Sequence, residues 1–363
     1  MSKELADELE TGTEVYGFDA LRGYQAGREY YVAMCPLKII PKLFTFNEFD
    51  LPPQLRAQRI LRESRIPQIA NYIVNNPKDY VFSSLTVSVD GKMKFSPAPS
   101  AGDKGKIGRL YVSMNCKLLI NDGQHRRAAI EEALKQKPEL GNETISVVFF
   151  EDRGLVRSQQ MFADLNKNAV KPTKSLGILY DHRDTFSQFI VKLVNALPIF
   201  HGRVELEKTS ISHRSQKFFT LNGISDATRF LLGPNSKNPS ESEQKLVAEF
   251  WDEVSKNMPD WQLLINKKVS PKELRQEYVH AHTNLISALG MAGKVLLNEY
   301  RDTWKQKLKG LQKIDWSRDN KAWNGSLLLD GRLLKNRQGM KNAANQILLA
   351  CGVSKKITDF EVS

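Results

Sequence analysis

Residues 117–136 read KLLINDGQHRRAAIEEALKQ. A short apolar run, Leu118 to Ile120, gives way to a glycine, an amide, an imidazole and two guanidinium groups, and then to the helix-forming stretch AAIEEALKQK ahead of Pro138. The pattern reads strand, turn, helix. A helix start presents unpaired N–H groups and a partial positive charge, which suits an anion. Gly123 lets the backbone approach a phosphate closely or adopt a positive φ. Arg126 and Arg127 add forked donors, of which one or two can face a single ligand. His125 can donate to a phosphate oxygen or shuttle a proton, with an ordinary pKa of about 6.5. Asp122 has three roles open to it: capping the helix, orienting His125, or holding a nucleotide-bound metal. Taken singly, Asp122 reads as an N-cap and Gly123 as turn geometry. Taken together after a strand, Asp122, Gly123, Gln124, His125 and Arg126, with Arg127, read as a phosphate-binding turn whose catalytic candidates are Asp122 and His125.

Upstream, EYYVAMCPLKII alternates loosely like a strand, and LPPQLRAQRILRESRIPQIANYIVNN carries helical spacing, with Pro67 opening a separate helix. Leu85, Val87 and Val89 alternate with polar residues before Asp90-Gly91, as in a half-buried strand. Residues 96–106 read as a loop. RLYVSMNCKLLI and TISVVFF read as strands, and GLVRSQQMFADLN as a helix with Leu155, Phe162 and Leu165 on one face. This order predicts a compact α/β or α+β domain over roughly residues 15–170, taken as α+β within a first domain of residues 1–172. Beyond Pro172, SLGILYDHRDTFSQFIVKLVNAL, SDATRFLL, EQKLVAEFWDEVSKN, HTNLISALGMAGKVLLNEY and MKNAANQILLACG all show helical spacing, with GPNSKNPSES as a linker. Residues 173–363 are therefore expected to form a mostly α-helical domain, a candidate DNA-binding surface, joined through Lys171-Pro172-Thr173.

At 363 residues the chain is long enough for two domains. Its acidic, polar start is unlike a signal peptide, and no run approaches the ~18 apolar residues of a membrane span, so a soluble cytoplasmic protein with no membrane partner is expected. Cys35, Cys116 and Cys351 form no CxxC pair, which suggests neither a disulfide framework nor a zinc site. They read as buried hydrophobes; a redox role for Cys35 has no support in the sequence. His280 and His282, placed on a helix, would face different ways, so no metal site is assigned. Asp181, His182, Arg183 and Asp184 read as a solvated helix turn. GxSxG, Walker A and HExxH patterns are absent.

The formal charge is +12. The first twenty residues are acidic, whereas Ile265 to the end holds 18 Lys and Arg against 9 Asp and Glu. A polyanion, nucleic acid first, is the partner such a balance favours. Trp304, Trp316 and Trp323 are interleaved with Lys305, Lys307, Lys309, Lys313, Arg318, Lys321, Arg332, Lys335, Arg337 and Lys341, the DNA-contact candidates. Two readings of the tryptophans stay open: packing on sugar or base, or anchoring the core.

The pentapeptide DGQHR, Asp122 to Arg126, and its flanks RIPQIANYIVNNPKDYVFSSLTVSV and MFADLNKNAVKPTKSLGILYDHRD resemble the DGQHR-domain family over most of the chain. The resemblance implies an accessory and regulatory DNA-binding protein of bacterial DNA phosphorothioation. Such a protein modulates sulfur modification of the DNA backbone and represses transcription of the modification genes. Double-stranded DNA, other DNA sulfur modification proteins and further copies of the chain are the expected partners. More distantly, the turn is similar to that of the ParB and sulfiredoxin fold, which implies a ParB/sulfiredoxin-like N-terminal domain that grips nucleotide phosphate. Gln124 stands where sulfiredoxin has its cysteine, so thiolate chemistry is excluded at this position. It also stands where the ParB pattern has an acidic residue, which weighs against metal-dependent hydrolysis. Arg62, Arg65, Asn166 and Lys167 would complete the cleft; solvated arginines at 62 and 65 and a helix C-cap at Asn166 are the readings left open beside it. No cofactor is assigned outright; ATP or CTP with Mg is the ligand left open. The rival reading is a nucleotide-dependent phosphohydrolase or DNA nickase, with Asp122 on a divalent ion and His125 moving the proton. A third is an adaptor for the modification enzymes.

Overall fold

The computed structural model describes residues 15–44, 63–99, 105–151, 160–161, 164–165, 172–212, 214–233, 236, 238–329, 332–333 and 336–357. The chain divides into two compact units, Met1–Val170 and Lys171–Ser363. The architecture is mixed α/β, with twelve helices among the described residues and a seven-stranded, mostly antiparallel sheet.

The first unit contains β1 (Val15–Gln25), β2 (Arg28–Pro36), α1 (Ile40–Leu43), α2 (Ile66–Asn75), β3 (Leu85–Asp90), β4 (Met93–Pro97), β5 (Ile107–Ser113), β6 (Lys117–Asp122), α3 (Gln124–Gln136) and β7 (Thr144–Glu151). The strand order is β4-β5-β1-β2-β7-β3-β6, antiparallel except for β3 beside β7. The run RLYVSMNCKLLI, expected as one strand, breaks into β5 and β6. Likewise β3 breaks from β4 at Gly91, whose φ is +140° and where a β-carbon would lie 2.6 Å from Cys116 Sγ. Together β3–β4 and β5–β6 make one long bent hairpin, attached to β7 at one end and to β1 at the other. The sheet therefore curls back on itself.

Alternation places Phe18, Ala20, Tyr31, Ala33, Cys35, Val87, Val147 and Phe149 in one core. Ala70 and Ile73 of α2, with Ala129, Ile130 and Ala133 of α3, join it. Each fully buried large apolar side chain contributes roughly 1.5–3 kcal/mol. Strand β1 was not expected, because Gly17 and Gly23 interrupt its alternation. The glycines sit opposite Tyr111 and Tyr30, and a β-carbon at Gly23 would come within 2.5 Å of the Tyr30 ring. Ser96 and Pro97, expected in a loop, belong to β4.

The second unit contains α4 (Lys174–Tyr180), α5 (Thr185–Ala196), β8 (Val204–Glu205), β9 (Phe219–Thr220), α6 (Leu221–Leu232), α7 (Glu241–Lys256), α8 (Pro259–Ile265), α9 (Pro271–Glu277), α10 (Thr283–Glu299), α11 (Trp304–Leu308), β10 (Leu328–Leu329), β11 (Arg332–Leu333) and α12 (Arg337–Ala350). The stretch expected as one helix from Ser175 onward is two. Asp181 accepts from the amides of Arg183 and Asp184, and Asp184 caps α5 through Ser187 N at 3.0 Å. Helix α10 is apolar on nearly every side and packs against α6 and α12. Gly290 permits the α6 contact, since a β-carbon there would lie 2.1 Å from Ala227 O. All five tryptophans are buried in this unit's core. The open question about Trp304, Trp316 and Trp323 is thus settled for core anchors, because their rings pack within the unit rather than facing a ligand.

His280 and His282, expected on a helix, lie instead in the segment between α9 and α10. His280 is fully buried: Trp261 Nε1, a donor only, lies 3.3 Å from Nδ1, and Asp260 Oδ2 lies 3.2 Å from Nε2. Nδ1 therefore accepts and Nε2 carries the proton. Burial lowers the His280 pKa despite Asp260. His282 Nε2 accepts from Arg318 Nη2 at 2.6 Å, and burial with that neighbouring cation pushes its pKa down to about 3.

Both imidazoles stay neutral when folded, whereas an unfolded histidine takes up a proton near pH 6.5. The unfolded chain binds more protons as pH falls, so stability present above pH 6.5 is lost as pH drops below it, for His282 down to about 3. Each residue contributes a slope of up to about 1.4 kcal/mol per pH unit. Urea unfolding at pH 7.5 and pH 5 is expected to show a lower midpoint at pH 5, with the difference reduced in His282→Gln.

Candidate functional site

Strand β6 ends at Asp122 and α3 begins at Gln124. Gly123 between them has φ +110° and ψ 14°, and no described side chain caps the helix. A β-carbon at Gly123 would lie 2.4 Å from Leu85 Cδ2 and 3.1 Å from Arg126 Nη2. Glycine is needed here twice over, for the left-handed backbone and for the space that Leu85 and Arg126 fill.

Arg126 folds back over the turn. Its Nη2 lies 2.7 Å from Asp122 Oδ2 and 3.3 Å from Ser84 O, while Nη1 donates to Ser83 Oγ. The Arg126 side chain is 19% exposed and that of Asp122 45%. Arg127 points elsewhere, to Glu131 Oε2 at 2.5 Å and to the Pro41 carbonyl at 3.0 Å. The two guanidinium groups do not converge on one ligand. Each keeps a buried Nε without a hydrogen-bond partner among the described residues. The Gln124 amide donates to Ile120 O at 3.4 Å, and His125 is half-buried. Structure thus brings Asp122, Gly123 and Arg126 into one bracket that ties the strand end, the helix start and the Ser83-Ser84 segment together. Arg65 is exposed just before α2, and Arg62, Asn166 and Lys167 lie outside the described residues. A cavity of about 340 Å³ in this unit, bordered by Glu29, Tyr31, Phe150, Glu151 and Met161, includes none of residues 122–127.

The described cysteines carry no disulfide, and burial pushes the Cys35 thiol up to about 12 and that of Cys351 up to about 11. Neither is an activated nucleophile. No group of three or more His, Cys, Asp or Glu suited to a metal occurs among the described residues.

Of the basic candidates in the second unit, Lys309, Lys313, Lys321 and Arg337 are exposed and have no ion-pair partner among the described residues. Lys305 pairs with Glu249 at 3.1 Å. Lys307 lies over the Tyr300 ring at 4.4 Å and donates to Gly352 O at 3.3 Å. Arg318 is spent on His282. Lys341 is 7% exposed, so it is withdrawn from the surface set; α12 turns it into the unit's interior. The backbone of Arg332 lies in β11, and Lys335 falls outside the described residues. Among the exposed cations not singled out from sequence, Lys208, Arg214, Lys267, Lys268 and Lys272 also lack an ion-pair partner among the described residues. The one signal for them was the Lys267-Lys268 doublet between WQLLIN and Ser270-Pro271.

A family model described as DndB, DNA-sulfur modification-associated, matches residues 18–354. No curated protein and no solved structure matches the chain. No described helix is long and apolar enough to cross a membrane.

Gly123→Ala is expected to destabilise the protein by about 1–3 kcal/mol through backbone strain and the clash with Leu85. A urea titration measures this, and an unchanged midpoint would contradict the assigned role. Arg126→Lys is expected to lose about 1 kcal/mol, because an ammonium cannot reach Asp122, Ser83 and Ser84 in the planar geometry of a guanidinium.

Proposed function

Because the chain belongs to the DndB, DNA-sulfur modification-associated family, we propose that it is a DNA-binding accessory and regulatory protein of that modification, acting on its genes as a repressor and on its enzymes as a modulator. The observation that carries this reading is the charge of the second unit. It holds 30 Lys and Arg against 20 Asp and Glu, and several of its cations are exposed with no ion-pair partner among the described residues. Such charges gain most from a polyanion, since each phosphate contact releases condensed counterions. In this reading Lys309, Lys313, Lys321 and Arg337 contact the backbone of duplex DNA, and the buried tryptophans stiffen the surface that presents them.

The Gly123 turn supplies a second anion seat in the same reading. No described side chain caps its helix start, and an arriving phosphate would compete with Asp122 for Arg126. The proposed likeness to the ParB and sulfiredoxin fold rests on this turn and on the mixed sheet behind it. A nucleotide-dependent phosphohydrolase or nickase is the second reading, favoured by the partly exposed Asp122 carboxylate beside that helix start. The Asp122–Arg126 pair counts against it, because a carboxylate holding a guanidinium is not free for a metal. Metal-dependent nucleotide turnover abolished by Asp122→Ala would promote it.

Duplex DNA affinity, measured by fluorescence anisotropy across a salt series, is expected to fall steeply with salt. Combined Lys309→Ala, Lys313→Ala and Lys321→Ala is expected to make the slope of log affinity against log salt shallower by about 0.9 for each phosphate that is no longer neutralised. A salt-insensitive parent protein would overturn the proposed function.

A further inference from the structure

The second unit carries an open groove of about 560 Å³ whose lining includes His201, Arg203, Gln216, Lys267, Lys268 and Glu273. Its walls are held from within. Arg203 donates to the carbonyls of Pro198 at 2.8 Å and of His201, Leu264 and Ile265, each at 3.2 Å. Lys217 donates to Gly202 O at 3.0 Å. Arg275 donates to Lys217 O, to Ser215 O at 2.9 Å and to Ser212 O at 3.3 Å. These three cations fasten the turn at 198–203, the loop that supplies Gln216, and the end of α8.

The cations left over are the informative ones. Lys267 and Lys268 follow α8, Arg214 sits in the fastened loop, and Lys272 is the second residue of α9. All four are exposed and none has an ion-pair partner among the described residues. Glu273 is the one acidic residue in the lining.

Lys267 also has an unusual backbone, with φ +58°. Lys267 N donates to Leu264 O at 3.2 Å and Lys268 N to Leu263 O at 2.9 Å, the pair of bonds that ends a helix on a left-handed residue. Glycine fits that position without strain, whereas a residue with a β-carbon does not. A cation after a helix also complements the helix dipole, but Lys268 supplies one already. Helix termination alone therefore leaves the lysine at 267 unexplained.

We propose that this groove seats the phosphate backbone of duplex DNA, with Lys267 and Lys268 as contacts and Arg214 and Lys272 flanking them. The inference rests on the DNA-binding reading and adds a contact region remote in sequence from Lys309–Arg337. An open, solvated groove lined by flexible ammonium groups suits contacts that are independent of base sequence.

The test uses the full chain, a labelled short duplex and a salt series, on the parent protein, Lys267→Gly and Lys268→Gln. Lys267→Gly is expected to raise Tm by about 2 °C as the strained backbone is relieved. It is also expected to weaken duplex affinity about five-fold at low salt and to make the salt slope shallower by about one. Lys268→Gln is expected to weaken binding and flatten the slope similarly while leaving Tm near the parent value. If neither variant changes the slope while the parent binds, the groove assignment falls and the function stands. If the parent shows no salt-dependent duplex binding, both fall.

Discussion

The first unit depends on a single backbone constraint, the left-handed conformation at Gly123. It lets β6 stop and α3 start within one residue while Leu85 and the Arg126 guanidinium occupy the volume a β-carbon would need. Asp122, Arg126, Ser83 and Ser84 then close a polar bracket around it. Through that bracket the helix start is tied to the segment entering β3. Two strongly basic residues in a row look like a ligand grip in the sequence. In the structure they diverge, because residues adjacent on a helix point about 100° apart and each finds its own acceptors.

How cations are used separates those that fasten the fold from those left at the surface. Arg127, Arg203, Arg275 and Arg318 spend their forks on carbonyls, a carboxylate and an imidazole. Half-buried guanidinium groups lose less by desolvation than ammonium groups, so arginine serves as the internal fastener. The exposed cations of the second unit that have no ion-pair partner among the described residues are mostly lysines. Net charge, a property of the whole sequence, thus becomes a surface property only after the fold has subtracted its own fasteners.

The same subtraction applies to residues that look chemical. His280 and His282 are buried and hydrogen-bonded to Trp261, Asp260 and Arg318, and burial lowers both of their pKa values. Asp181 and Asp184 cap a helix. The buried thiols of Cys35 and Cys351 sit above the range in which they would be nucleophiles. What such groups have in common is a scaffold role, since buried polar groups must be paired and therefore cluster.

By itself the sequence determined the local elements: the strand-to-helix turn at Gly123, the strand over 144–150, most of the helices after Pro172, the family to which the DGQHR segment belongs, and the cationic excess of the later residues. Periodicity and turn chemistry act over a few residues, and those signals are local. Tertiary structure alone decided that β5 and β6 form one arm of a bent hairpin and lie toward opposite edges of the strand order, and that glycine-broken β1 is an interior strand. It also decided that Trp304, Trp316, Trp323 and Lys341 face inward, and that Asp122 and Arg126 hold each other. Each of these turns on which distant residues come together, such as Tyr30 over Gly23 or Ala227 against Gly290. No spacing within a short window records such a pairing.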